Sequence, residues 1–433
     1  MRIGIYDIDS KMKADNRGPK RKYPNVACGK IYGYHKMNGD EVVYPWKGEK
    51  VDKLYISTIF TSTKAAILRQ MPIFESQAKE VLIGGSGWDD YSKKQITKLP
   101  PEIDRFNDPK WLYEMYDLDY GIGFSTRGCH VGCGFCMVWR KEGLVEYSDT
   151  PVSKLVNPKM KHLILMNNNS LAHDSFWEDV AEIKFRGLSI HWDQANDITL
   201  VTPKIAEALA SVNYRSFDGK DRELVFAFDL LRKRKAVVME TASNNVLNAL
   251  DITRQSGTFF TGDGSALQMG KQYENEYGDT WFKAKQVENK LTRKLETMLT
   301  VEYDMMKVVP RKIKLMQEYG INPKHLMFYV LIGFNSTEAE DLARIDILKE
   351  FKSRPYPMLF RDLTGKVDVD GNGNPQPFHA RPFRDWVTQG LYKKTPFHEF
   401  DRYPLRKEQF KQKQKEKEKL DAAAADQVEW NLA

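Results

Sequence analysis

No hydrophobic run in this chain exceeds nine residues, the stretch 326–334. A membrane-spanning helix needs about 20, so no span is expected. The first residues, MRIGIYDIDSK, read as a short strand carrying acids. They hold no apolar signal core and no small-residue cleavage pattern, which argues against export. Cysteine is scarce, with 4 in 433 residues. That is too few for a disulfide framework, and three of them fall within eight residues. In a cytoplasmic protein, the expectation here, such crowding points to metal. A one-signed charge excess is also lacking. The net charge is 66 − 59 = +7. Residues 402–419 hold eight Lys/Arg against three Glu, or +5 of it. The remainder is close to neutral, so the basic balance alone defines no nucleic-acid face.

What is present is an α/β pattern. In the first hundred residues, strand-like segments at 2–8, 54–60 and 80–83 enclose helical composition at 63–69. Pro100-Pro101 and the polar residues up to Pro109 suggest a linker. Beyond it, strand-like segments recur at 121–125, 162–166, 189–192, 224–229, 325–334 and 357–361, with helical stretches between them. The expected fold is a small doubly wound, Rossmann-like domain over 1–108, then a partial (β/α)6 barrel of TIM type over 109–400. A basic, helix-prone tail is expected over 401–433. Residues 235–300 exceed what one crossover needs and read as an insertion after the fourth strand, helical over 292–306.

The sharpest signal is the loop Ser125-Thr126-Arg127-Gly128-Cys129-His130-Val131-Gly132-Cys133-Gly134-Phe135-Cys136. Its spacing is C-x3-C-x2-C, and it follows a predicted strand, where α/β folds place chemistry. Thiolates hold iron–sulfur clusters. Three ligands on a four-iron cube leave one iron open, as a catalytic site requires. Structural zinc wants four ligands, usually as two pairs, and no second pair exists. Arg127, Arg140 and Lys141 flank the loop, either to favour a negative cluster or as ordinary surface charges.

The loop resembles the cluster-binding motif of the radical S-adenosylmethionine superfamily. The resemblance implies a partial barrel, a [4Fe–4S] cluster on Cys129, Cys133 and Cys136, and reductive cleavage of S-adenosylmethionine to a 5′-deoxyadenosyl radical. It implies a low-potential electron donor of flavodoxin or ferredoxin type. It places Phe135 near the adenine. Asn167, Asn168 and Asn169 stand where the family often carries a Gly-Gly-Glu-like stretch that receives the methionine amino group; as bare sequence they are equally turn residues. Gln194, Asp197 and Asp229 fall at strand ends that could meet ribose hydroxyls. Ile332 and Gly333 resemble the fifth-strand stretch whose backbone touches adenine. The substrate stays open between a nucleic acid or nucleotide and a peptide. An iron–sulfur redox or sensor protein without the cleavage chemistry is the rival reading.

The domain order resembles that of cobalamin-binding radical enzymes. Their Asp-x-His-x-x-Gly motif is missing after the first strand, and His35 lies too far along, so bound cobalamin is not expected. Gly85-Ser86-Gly87 lacks the third glycine of a dinucleotide fingerprint and reads as a tight turn. Asp368 to Asn374 matches half a calcium loop, but His379 stands at position twelve, so a polar turn is expected.

Overall fold

The computed structural model describes residues 1–12, 19–20, 23–44, 49–91, 93, 95–289, 292–363 and 369–400, with six more between 408 and 416. The expected tail lies almost wholly outside them.

The chain opens with β1 (Arg2–Asp7) and the helix α1 (Val26–Met37), followed by β2 (Glu41–Val43) and β3 (Val51–Ser57). Then come α2 (Lys64–Gln77) and β4 (Ala78–Gly84). The strands form one parallel sheet in the order β2-β1-β3-β4. Ile3, Ile5 and Tyr55 pack towards α1, while Leu54 and Ile56 pack with Ile67 and Phe74 of α2. Alternate side chains thus bury both faces, as a doubly wound sheet requires.

The expected linker around 100–109 is helical in part. A short helix covers Pro101–Asp104, and α3 (Lys110–Tyr116) follows. Leu112, Tyr113, Met115 and Tyr116 are buried, and that apolar face docks α3 on α1. The approach needs glycine. A Cβ on Gly29 would sit 2.5 Å from Leu112, and one on Gly33 would sit 2.4 Å from Phe106.

Six parallel strands come next: β5 (Gly121–Gly123), β6 (His162–Leu165), β7 (Ser189–Trp192), β8 (Leu224–Ala227), β9 (Leu326–Ile332) and β10 (Arg354–Leu359). They form two sheets, β5-β6-β7 and β8-β9-β10, the first extended by Asn213–Tyr214. Asn196 links the sheets through a parallel bridge to Phe226, its N–H donating to Val225 O at 3.0 Å. The six therefore run side by side in sequence order. Leu163, Leu165, Ile190, Trp192, Phe226 and Phe328 point into the main core. Ile122 and Ile164 point to the opposite face and share a core with Cys28 and Ile31 of α1 and with Leu112 and Met115 of α3. Strand β10 carries Pro355 and Pro357, which lack the N–H that further pairing would need and leave it as an edge.

The insertion is mainly β structure, with one short helix over Asn244–Ala249. Arg232–Val238, Leu295–Asp304, Thr280–Glu288 and Gln272–Glu274 form an antiparallel sheet in that order. The expected helix over 292–306 is corrected to a strand, because Thr297, Leu299, Val301 and Tyr303 are buried at every second position. Val237, Phe282, Leu299 and Val301 join the main core. The insertion is built onto the parallel strands.

Candidate functional site

The cysteine loop leaves the carboxyl end of β5. Thr126–Arg127 pairs antiparallel with Tyr147–Ser148, which closes the loop at its base. Asn167, just past β6, holds its entry. Its Oδ1 accepts from Ser125 N at 2.8 Å and Thr126 N at 3.1 Å, and its Nδ2 donates to Ser125 Oγ at 2.8 Å. Two glutamates hold the next turn. Glu142 accepts from Gly128 N at 3.0 Å, from Asn168 Nδ2 at 2.6 Å and from the Arg127 guanidinium. Glu146 accepts from the backbone and ring nitrogens of His130 at 2.8 and 2.6 Å. Gly128 is forced, since its φ is +85° and a Cβ there would lie 2.2 Å from Val145 O. Trp139 donates to Cys133 O at 2.9 Å, and Arg140 to Cys136 O at 2.5 Å and Gly134 O at 3.2 Å. Lys141 reaches Ser86 Oγ at 3.1 Å and the buried Asp89 at 3.3 Å, and so ties the loop to the first domain. The three flanking basic residues thus hold backbone or carboxylates.

All three cysteines of the loop are free and half-buried. Burial pushes their thiols up, Cys133 to about 12, and each is raised further by nearby negative charge. For Cys129 that charge includes Cys133 and Cys136, so the three share one electrostatic environment. Ionising them together requires a cation. Among the described residues no three His, Cys, Asp or Glu side chains converge on a single ion.

Acids and amines complete the cleft. Asp197 is buried and bonds Lys233 at 2.9 Å and Lys235 at 3.0 Å, both from the first inserted strand. Burial alone would raise this carboxyl; the two ammonium groups hold it well below the usual carboxylate range. Lys233 also acts on Cys133. Asp229, just past β8, is pushed up to about 6 by burial, against the pull of Lys233 and Arg344. It keeps part of its surface open. His130 Nε2, Asn169 Nδ2 and Ser170 Oγ are buried with no hydrogen-bond partner. Asn169 Oδ1 accepts from Asp197 N at 3.2 Å, which ties the strand-two run to this cluster. Buried polar atoms left unpaired are uncommon and call for a ligand or a water.

The expected site residues separate. Phe135 packs on Phe334 with ring centroids 5.3 Å apart, which brings the loop against the end of β9 and Gly333. Gly333 has φ +78°, and a Cβ there would lie 2.8 Å from Gln376 Nε2. Ile332 points its side chain into the outer core, and its carbonyl accepts from Phe360 N at 2.9 Å. Gln194 is exposed and bonds Asp193 at 3.1 Å. The carbonyl oxygen of Asn167 is already engaged by the loop. Glu142, Glu146 and Lys233 were not anticipated, because no recognised spacing links them to the cysteines.

Three other motifs resolve. Gly85 and Gly87 form a turn against Thr58 and Phe60, with no room for a Cβ on either. Asp370 accepts from Asn372 N and Asn374 N at 2.9 and 2.8 Å in a polar turn; Asp368 lies outside the described residues. At the crevice between β1 and β3, where doubly wound folds bind ligands, Tyr116 donates to Asp7 at 2.7 Å and Asn25 to Ser57 at 2.9 Å. His35 is held by Asp40 at 2.7 Å and Tyr55 at 3.2 Å.

Asp179 on the helix Phe176–Arg186 carries a pH prediction. Burial pushes its carboxyl up to about 7, although Ser125 Oγ donates to it at 2.5 Å. A carboxyl raised on folding binds more protons folded than unfolded, so stability falls as pH rises from about 4 towards 7. Asp179→Asn is expected to flatten that slope in urea melts taken across this range. An unchanged slope would show that Asp179 ionises normally.

No family model matches this chain, and no curated protein matches it.

Proposed function

We propose that this chain is a radical S-adenosylmethionine enzyme, with residues 109–400 as a partial (β/α)6 barrel and residues 1–108 as a supporting domain. One observation carries the reading. A C-x3-C-x2-C loop stands at the carboxyl end of the first of six parallel strands in sequence order, with its three thiols in one environment. When bound, a [4Fe–4S] cluster supplies the single low-potential electron that cleaves the sulfonium and releases a 5′-deoxyadenosyl radical.

The chain's residues do the rest. Cys129, Cys133 and Cys136 would hold three irons. The free Asn169 Nδ2 and the Lys233 ammonium suit a carboxylate, and Asp229 suits an ammonium or ribose hydroxyls. Phe135 suits a flat ring, beside the buried Gly333. The inserted sheet would wall the mouth against water, which radical chemistry requires. The electron donor would be a small protein of flavodoxin or ferredoxin type.

The test is anaerobic reconstitution with iron and sulfide, dithionite reduction and assay for 5′-deoxyadenosine. Its appearance with S-adenosylmethionine is the expected result. A loaded cluster that yields none would leave an iron–sulfur redox or sensor protein, and a chain that takes up no iron would end both readings.

A further inference from the structure

Arg344 lies on the helix Glu338–Glu350 and is fully buried. A buried guanidinium is costly unless its donors are used; those on its two Nη atoms are, while Nε has no hydrogen-bond partner. Its Nη1 donates to Phe228 O at 3.0 Å and to Asp229 O; its Nη2 donates to Leu331 O at 2.8 Å and to Asp341. Asp341 is itself fully buried, and His379 Nε2 holds its other oxygen at 2.7 Å.

The carbonyls it takes are telling. Strands β8 and β9 pair from Leu224↔Leu326 to Ala227↔Tyr329, and Phe228 N still donates to Tyr329 O at 2.9 Å. Past that point the ladder stops. Phe228, Asp229 and Leu331 are where the two strands part, and one guanidinium bonds a carbonyl from each. Asp229, on one lip so formed, acts on Cys133 and Cys136, and Phe334, just past the other, packs on Phe135 of the cysteine loop. A lysine could neutralise Asp341, but its single ammonium cannot present a planar fork to two strand ends.

We infer that Arg344 is a positioning residue: it sets the separation of the β8 and β9 ends and thereby aims Asp229 into the cofactor cleft. This rests on the function proposed above. Asp341 and His379 fix the guanidinium, so the device reaches from the cleft to the segment before the helix Ala380–Thr388.

The test uses the full chain, reconstituted without air and reduced with dithionite. S-adenosylmethionine is titrated against the electron paramagnetic resonance signal of the cluster. Arg344→Lys is expected to keep its iron but to bind S-adenosylmethionine at least about tenfold more weakly, the scale of one lost charge-assisted hydrogen bond. Asp229→Asn is expected to lose a similar factor. The double variant should lose no more than the worse single one, because the arginine acts through the acid. Losses that multiply, or an Arg344→Lys protein that binds like the wild type, would overturn the inference. A purely structural arginine would lower the melting temperature and leave the affinity of the folded fraction unchanged. Should Arg344→Lys fail to fold, His379→Gln leaves the guanidinium in place and loosens Asp341; it should weaken binding by a smaller factor, and unchanged binding would count against the role. A wild-type cluster whose signal ignores S-adenosylmethionine would bring down the parent reading and this role together.

Discussion

Replacing Cys133 with alanine is expected to remove the broad visible absorption of air-free, reconstituted protein and most of its iron. Changes in the shell around a metal typically cost about 10- to 100-fold in affinity, and loss of a ligand should exceed that. Folding should survive. The thiol is half-buried, and burial already favours its neutral form, so the apo-protein loses a small uncharged group. Far-ultraviolet circular dichroism should match the wild type while production of 5′-deoxyadenosine falls to background. Cys28→Ala is the control. Cys28 is fully buried against α1's neighbours in the first domain, so its loss should cost some stability and no iron. A Cys133→Ala protein with wild-type colour and iron would remove the basis of the proposed function.

Asp197→Ala is expected to be the most destabilising single change in the cleft. It leaves the buried ammonium group of Lys235 and the half-buried one of Lys233 with no carboxylate between them. Breaking a buried pair in this way typically costs about 3–5 kcal/mol. That is a large part of a typical total of about 5–15 kcal/mol. Urea denaturation should show the midpoint falling sharply. The pH dependence has a definite sign. The folded carboxyl sits well below its ordinary value, so the pair's contribution is complete above the unfolded value of about 4 and disappears only as pH falls through the depressed one. The triple change Asp197→Leu, Lys233→Met, Lys235→Met removes all three charges and should recover most of the lost stability. If Asp197→Ala alone melts like the wild type, the two lysines are solvated and the inserted sheet is not anchored through them.

Parts of this architecture were open to reading from the chain. The strands of the parallel sheets are buried on both faces, so they appear as short continuous apolar runs such as His162–Leu165 and Leu326–Ile332. The inserted strand Leu295–Asp304 departs from the expected helix because its buried positions include Thr297 and Tyr303, and its exposed ones include Leu295. Polarity there does not follow the alternation, although burial does. The helix Lys110–Tyr116 was hidden by the prolines that precede it. Lys233 and Arg344 could not be found at all by local pattern. Lys233 reads as one of a run of surface cations, and Arg344 meets Asp229 from 115 residues away.

The cysteine loop is the one element that sequence alone determined, because all of its thiols lie on a single short turn and need no distant partner to define their spacing. The cleft around it was decided by tertiary structure. Its charge arises where Asp197 from beyond the third strand meets two lysines of the inserted sheet, and its shape where a helix arginine takes carbonyls from two strands at once. Such groups have meaning only as neighbours in space, since a buried charge is tolerated only beside the partner that the fold delivers to it.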